Sequence, residues 1–196
     1  MVTLTTPALA RWPTHRRVEI LGVFGSGKTT LARQIAESDA HHLAENHAAN
    51  PYWGRQDALQ VIGYLPYDLT FLAQHAFLVA TAPKDGVAVC DWSFDTDRLW
   101  ASMRLGREEL ASYEAAYAAI LARLGPPALY LYLRQPPEVI RYRLAKRARQ
   151  SEKAFREQVD NAYASIEQLV AGLPAAQLHV VGDEFDPQAL RTLLSI

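Results

Sequence analysis

Short, continuous apolar runs alternate along the chain with longer stretches of helical periodicity. "VEILGVF" (Val18 to Phe24), "HHLAE" (His41 to Glu45), "VAVCDW" (Val87 to Trp92), "ALYLYL" (Ala128 to Leu133) and "LHVVG" (Leu178 to Gly182) predict strands. Their apolarity does not alternate, which is the mark of parallel strands covered on both faces. Helical patterns fall near residues 28–38, 57–80, 94–124, 136–149 and 152–171. A last helix is predicted after Pro187, a residue suited to a first helical turn. Gly106 is expected to divide the 94–124 segment in two. Strand–helix alternation of this kind predicts an α/β fold, a doubly wound layer with right-handed crossovers built on a parallel sheet of about five strands. No repeat, low-complexity tract or linker argues for a second domain. Residues 18–196 are therefore read as one domain, preceded by a flexible tail over 1–17.

Composition narrows the class. With 196 residues, 49% hydrophobic and 21% charged, the chain can bury a substantial core, so disordered and fibrous classes drop out. A net charge of -1 gives no global electrostatic case for a nucleic-acid or membrane partner. No apolar run reaches the roughly 18 residues of a spanning helix, and "MVTLTTPALARWPTHRR" lacks the uninterrupted apolar core of a signal peptide. The single cysteine, Cys90, excludes an internal disulfide framework and fits a reducing compartment, so a cytoplasmic location is expected. Placed mid-strand, it reads as an inert buried thiol.

The strongest chemical signal is "GVFGSGKTT", Gly22 to Thr30. Gly22 and Gly27 enclose four residues and Lys28-Thr29 completes the P-loop pattern, with a predicted strand before it and a helix after it. Gly22, Gly25, Ser26, Gly27, Lys28, Thr29 and Thr30 are the candidate nucleotide-binding residues. Glycines let backbone N–H groups turn inward around phosphate oxygens at the positive end of a helix. Lys28 would reach the β- and γ-phosphates of ATP or another NTP, and the Thr29 hydroxyl would ligate Mg²⁺.

Other residues are ambiguous one at a time. Glu45 ends the second predicted strand and is followed by "NHAANPYW". A carboxylate there can take a proton from a substrate hydroxyl, or simply cap a helix or face solvent. Gln74, on the mostly apolar "FLAQHAFL", reads either as a satisfied core amide or as a reader of a base edge. "DWSFDTDR" sets Asp91, Asp95, Asp97 and Arg98 directly after a strand. "RYRLAKRARQSE" taken alone is a solvated basic helix face.

The order of these pieces resembles the deoxynucleoside kinases: a P-loop, then Glu45 with "NPYW" five residues on, then "FLAQHAFL", then "DWSFDTDR", and last Arg143, Arg147, Arg149 and Glu152 at the spacing of an arginine-rich lid. The resemblance runs from about Val18 to about Phe155 and implies a P-loop kinase fold with a helical lid. It implies Glu45 as the general base for a sugar 5′-hydroxyl, with Gln74 and Asp97 at the nucleobase edge. Asp91 would stand near the phosphates and Mg²⁺. Arg143 would lie against the ATP adenine, and Arg147 and Arg149 would embrace the transferring phosphoryl group. Glu152, with Tyr64 the nearest tyrosine though one residue out of register, would approach the 3′-hydroxyl. The implied partner is a small-molecule nucleoside, and the family suggests a homodimer, although no interface is visible in the sequence. The physics of phosphoryl transfer agrees, since it asks for positioning and for charge on the equatorial oxygens to be neutralised.

Two positions depart from the pattern. The family's acid-Arg-Ser is Asp91-Trp92-Ser93 here, and the Arg expected seven residues after Gln74 is Thr81. Either the substrate is atypical, transfer is slow, or another arginine (Arg55 or Arg104) substitutes. If Trp92 faces the pocket, arginines restored at 92 and 81 would find waiting carboxylates, Asp97 for the one at 81. Two alternatives stand beside a nucleoside kinase: a kinase of the same fold for another small hydroxyl compound, and a nucleotide-binding regulatory protein with little turnover.

Overall fold

The structure, a computed structural model, describes residues 16–36, 39–147, 157–182 and 185–194. Its centre is a sheet of β1 (Arg16–Leu21), β2 (Ala40–Leu43), β3 (Val87–Cys90), β4 (Leu129–Leu133) and β5 (Leu178–Val181). All pairings are parallel, in the order β2-β3-β1-β4-β5. β1 is central, with Val18 in register with Val89 on one side and Leu129 on the other. The helices are α1 (Lys28–Ile35), α2 (Gln56–Ile62), α3 (Leu65–Thr81), α4 (Phe94–Arg104), α5 (Arg107–Leu124), α6 (Pro137–Arg147) and α7 (Val159–Ala171) between strands, and α8 (Pro187–Leu194) after the last strand.

Residue alternation along β1 feeds both faces of the sheet. Val18 and Ile20 join Leu31, Ile35, Leu190 and Leu194 in one apolar layer under α1 and α8. On the other face α3, α4 and α5 close over Ala88 and Cys90 with Leu72, Val79, Phe94 and Tyr113. A third cluster joins Leu21, Tyr130 and Tyr132 to α6 and α7 through Ile140, Leu144 and Ile166. Continuous apolarity of the strands is thus explained, because both faces are covered. The free cysteine is buried in the sheet, where burial pushes its thiol well up.

Most predicted breaks stand, with shifted bounds. Gly106 caps α5 as expected, and Pro187 opens α8. The predicted 57–80 helix is two helices instead, because Gly63 adopts φ 75° and closes α2. A side chain at Gly63 would also meet the Glu109 carboxylate, 2.9 Å from where its Cβ would stand. β2 ends at Leu43 and β3 at Cys90, so Glu45, Asp91 and Trp92 sit just past the carboxyl ends of their strands. That is where ligands bind in open α/β sheets. The fold is that of a P-loop kinase.

Candidate functional site

The loop from β1 to α1 wraps around its own backbone. Gly22, Gly25 and Gly27 have φ of 149°, 81° and 109°, and Gly27 is the N-cap of α1. A Cβ on Gly22 would come within 2.8 Å of Ser26 Oγ and 3.0 Å of the Leu133 carbonyl oxygen, so only glycine fits that turn. Ser26 N–H donates to the Val23 carbonyl, while the buried Ser26 hydroxyl has no hydrogen-bond partner among the described residues. Lys28 Nζ donates to the carbonyls of Gly22 (2.9 Å) and Val23 (3.2 Å), folded along the loop it would leave to meet a phosphate. Burial pulls the Lys28 ammonium down, and the carboxylates of Glu45 and Asp91 oppose that. Thr29 and Thr30 are exposed at the same rim.

Two acids from neighbouring strand ends face this loop. Asp91 Oδ1 accepts the backbone N–H of Glu45 at 2.7 Å, which ties the end of β2 to the end of β3. His42 Nε2 lies 3.2 Å from Asp91 Oδ2, outside hydrogen-bonding geometry but close enough to favour the carboxylate. Burial alone would raise Asp91; His42, the Glu45 N–H and the Thr29 hydroxyl outweigh it and hold the carboxyl below its usual range. Thr29 and Asp91 therefore meet, as a Mg²⁺ site requires, and Mg²⁺ is commonly held by one or two protein groups plus phosphate oxygens. Among the described residues no cluster of three or more His, Cys, Asp and Glu could hold a metal, so phosphates would have to supply ligands.

Glu45 is pushed up to about 7, chiefly by burial, with His75 and Lys28 opposing and Asp97 and Asp91 adding to the rise. A carboxylate in that range is matched to general-base work near neutrality. Glu45 Oε2 lies 3.4 Å from His47 Nε2. His47 stacks on Trp53 with ring centroids 4.2 Å apart. Trp53, Tyr67 and Phe71 then continue as a wall of ring contacts at 5.1–6.4 Å. Asn50, buried, fixes this wall: its Nδ2 donates to the Tyr67 carbonyl and its Oδ1 accepts the Tyr52 N–H.

Beyond Phe71 the wall ends in a feature that sequence reading missed. His75 is fully buried, its ring stacked on Trp92 at 3.8 Å and 3°, and its Nδ1 is 2.6 Å from Asp97 Oδ2. Trp92 is 3% exposed and its Nε1 donates to the Leu43 carbonyl at 2.9 Å. The indole is thus a core residue that roofs His75. The available signal was a lone histidine four residues after Phe71 and four before Val79, on the buried stripe of an apolar helix.

Of the other predicted residues, Tyr64 caps α3 and packs edge-on against Tyr67. Gln74 is half-buried next to His75 on α3, with no side-chain hydrogen bond among the described residues. Arg143, half-buried, donates to the Ser26 carbonyl at 2.6 Å and so reaches the P-loop directly. Arg147 is exposed at the end of α6, close enough to help lower Lys28. Arg149 and Glu152 lie outside the described residues. Neither candidate substitute arginine joins the acids: Arg55 pairs with exposed Asp57, and Arg104 pairs with buried Asp68 and lies over Tyr67. Thr81 is exposed and turned back onto the Phe77 carbonyl. The expectation that an arginine at 81 would find Asp97 is therefore corrected, because Asp97 is already held by His75. Asp95 sits in the first turn of α4, and Arg98 pairs with Glu114 as a structural partner.

The family model for an AAA domain matches residues 18–169. The chain belongs to this AAA-domain family. No curated protein matches the sequence significantly. Among solved structures, deoxyadenosine kinase from M. mycoides with bound dCTP is similar at a TM-score of 0.72 and 17% identity, over 91% of this chain and 96% of that one. The same enzyme with products dCMP and a flexible dCDP gives 0.70 and 17% over the same shares. With dATP it gives 0.69 and 17%, over 92% and 97%. At that identity the likeness establishes the fold of this AAA-domain chain, and its sheet, P-loop and strand-end acids are the parts that the fold places together.

Proposed function

We propose that the chain transfers the γ-phosphoryl group of ATP to the 5′-hydroxyl of a deoxynucleoside or a similar nucleoside. The observation that carries this is Glu45: a carboxylate poised near neutrality, between the P-loop lysine and a row of packed aromatic rings. ATP would be held by the backbone of Gly22–Gly27 with Lys28 and Arg143, and Mg²⁺ by Thr29 and Asp91. Bound there, the ion supplies charge neutralisation at the phosphates. Glu45 accepts the hydroxyl proton as the substrate oxygen bonds to the γ-phosphorus and the bond to the β,γ-bridging oxygen breaks, leaving ADP. Trp53 and Tyr67, half-buried over the buried Phe71, offer ring surface to a base, with Gln74 beside them as its polar reader and Tyr64 near the sugar. Arg147 and Arg149, with Glu152, belong in this reading to the lid.

One observation favours a second reading, a kinase for another small hydroxyl compound. Asp97, the expected second base-edge acceptor, has one oxygen committed to His75, and no arginine among the described residues joins it. ADP production across the common nucleosides, with a set of small hydroxyl compounds alongside, separates the two. Turnover of a nucleoside supports the first, turnover only of non-nucleoside acceptors the second, and tight ATP binding without turnover a regulatory protein.

A further inference from the structure

His75 Nε2 is the unfinished valence of this site. The ring is buried, Asp97 accepts from Nδ1, and Trp92, Phe71 and Phe94 enclose the ring. Nε2 nevertheless makes no hydrogen bond among the described residues, and lies 4.0 Å from Glu45 Oε1. That gap is too long for a direct hydrogen bond, and an oxygen atom bridging the two groups would stand about 2.8 Å from each. A buried polar nitrogen left unpaired is costly, and this one faces the Glu45 carboxylate across that gap.

We infer that His75 donates its Nε2–H to the acceptor oxygen of the substrate, holding that oxygen while Glu45 takes its proton. This rests on the kinase reading of Glu45. A carboxylate faces each ring nitrogen, and the indole of Trp92 offers a π-face that favours a cation. Burial alone would lower the imidazole; Asp97, Glu45 and the more remote Glu19 outweigh it and hold it above its usual value. The surroundings thus favour the imidazolium, which carries a hydrogen on both nitrogens. One buried imidazole takes the place of the guanidinium that this chain, with Trp92 at its acid-X-Ser motif, lacks there. A charge-assisted donor strengthens as negative charge gathers on the attacking oxygen.

Two measurements test this on the full-length protein. The first compares wild type with His75→Gln on the best acceptor found and on slow ATP hydrolysis, in which water is the acceptor. kcat should fall about tenfold to a hundredfold on both, with ATP affinity unchanged. Equal kcat on both would overturn the role. The second uses ¹⁵N-histidine-labelled wild-type protein near neutral pH and needs no variant, so it stands even if His75→Gln fails to fold. A protonated Nε2 in contact with the Trp92 indole, shifting when acceptor is added, supports the inference, and an unprotonated Nε2 overturns it. If only non-nucleoside acceptors turn over, the nucleoside reading falls while the His75 comparison proceeds on those acceptors.

Discussion

Two acid clusters lie on the two sides of β3, and they differ in what they leave unmet. In the first, Glu19 is buried in the middle of β1, where Oε1 accepts from Arg17 Nε at 2.6 Å and Oε2 accepts the Phe94 N–H at 3.1 Å. Arg17 also donates to the Gly125 carbonyl and lies over the Phe94 ring. Nearby, Asp95 accepts from the hydroxyls of Tyr117 and Tyr130. In the second, Glu45, Asp91 and Asp97 face Lys28, His42 and His75, and the Nε2 atoms of both histidines and the Ser26 hydroxyl have no hydrogen bond among the described residues. Burial raises both Glu19 and Glu45, so a perturbed carboxyl does not by itself tell a brace from a site. Between these two clusters leftover hydrogen-bonding capacity does: the Glu19 carboxylate has both oxygens met within the core, whereas the second cluster keeps three polar atoms unmet among the described residues.

The sharpest break of this comparison is Glu45→Gln, which keeps the shape and removes the base. kcat should drop by on the order of 10²–10⁴ while KM moves less. The acidic limb of wild-type kcat/KM should fall as pH drops through about 7, because only ionised Glu45 accepts a proton. The stability effect has the opposite sign. A carboxyl raised from 4.5 to about 7 favours the fold below 4.5, and that contribution is lost as pH rises through 7. Glu45→Gln should therefore show a smaller loss of Tm between pH 4.5 and 8 than wild type. A change in KM alone would make Glu45 a binding residue.

Lys28→Ala comes next. It removes a donor aimed at phosphate and should slow transfer by roughly 10²–10³-fold. Among the described residues only the loop carbonyls of Gly22 and Val23 lose a hydrogen bond, and Tm should hardly change. Normal turnover in a folded Lys28→Ala protein would remove the kinase reading altogether.

Glu19→Ala tests the brace. It strands the Arg17 guanidinium in the core, for a loss of about 3–5 kcal/mol in denaturant unfolding. The fraction that remains folded should keep wild-type kcat. Lost kcat at full folding would mean that the two clusters are coupled and that the contrast between them fails.

Much of this was legible in the chain. Continuous apolar runs gave the parallel strands, and the glycine and lysine spacing of the P-loop gave its loop, because both signals are local. Gly106 and Pro187 announced their helix ends by backbone preference. Gly63 did the same, but the apolar residues on both sides of it read as one helix. The pairing of His75 with Asp97 was not legible, since 22 residues separate them and α3 is apolar around most of its circumference, hiding which side meets α4. Trp92 was open between pocket and core for a similar reason: what decides it is the carbonyl of Leu43, on another strand.

The smallest expected effect belongs to Thr81→Arg, the substitution that the departure from the family pattern made attractive. Thr81 sits exposed at the last turn of α3, its hydroxyl returned to the Phe77 carbonyl, six residues beyond the histidine that already holds Asp97. An arginine there projects into solvent and meets neither Asp97 nor Glu45. Stability should stay within about 0.5 kcal/mol of wild type, and kcat/KM for each standard deoxynucleoside should be unchanged. A clear rise in kcat/KM would mean that α3 turns to bring residue 81 to the acids when substrate binds. His75 would then have to leave Asp97, and the division between a closed brace and an open site would be a property of the unliganded protein alone.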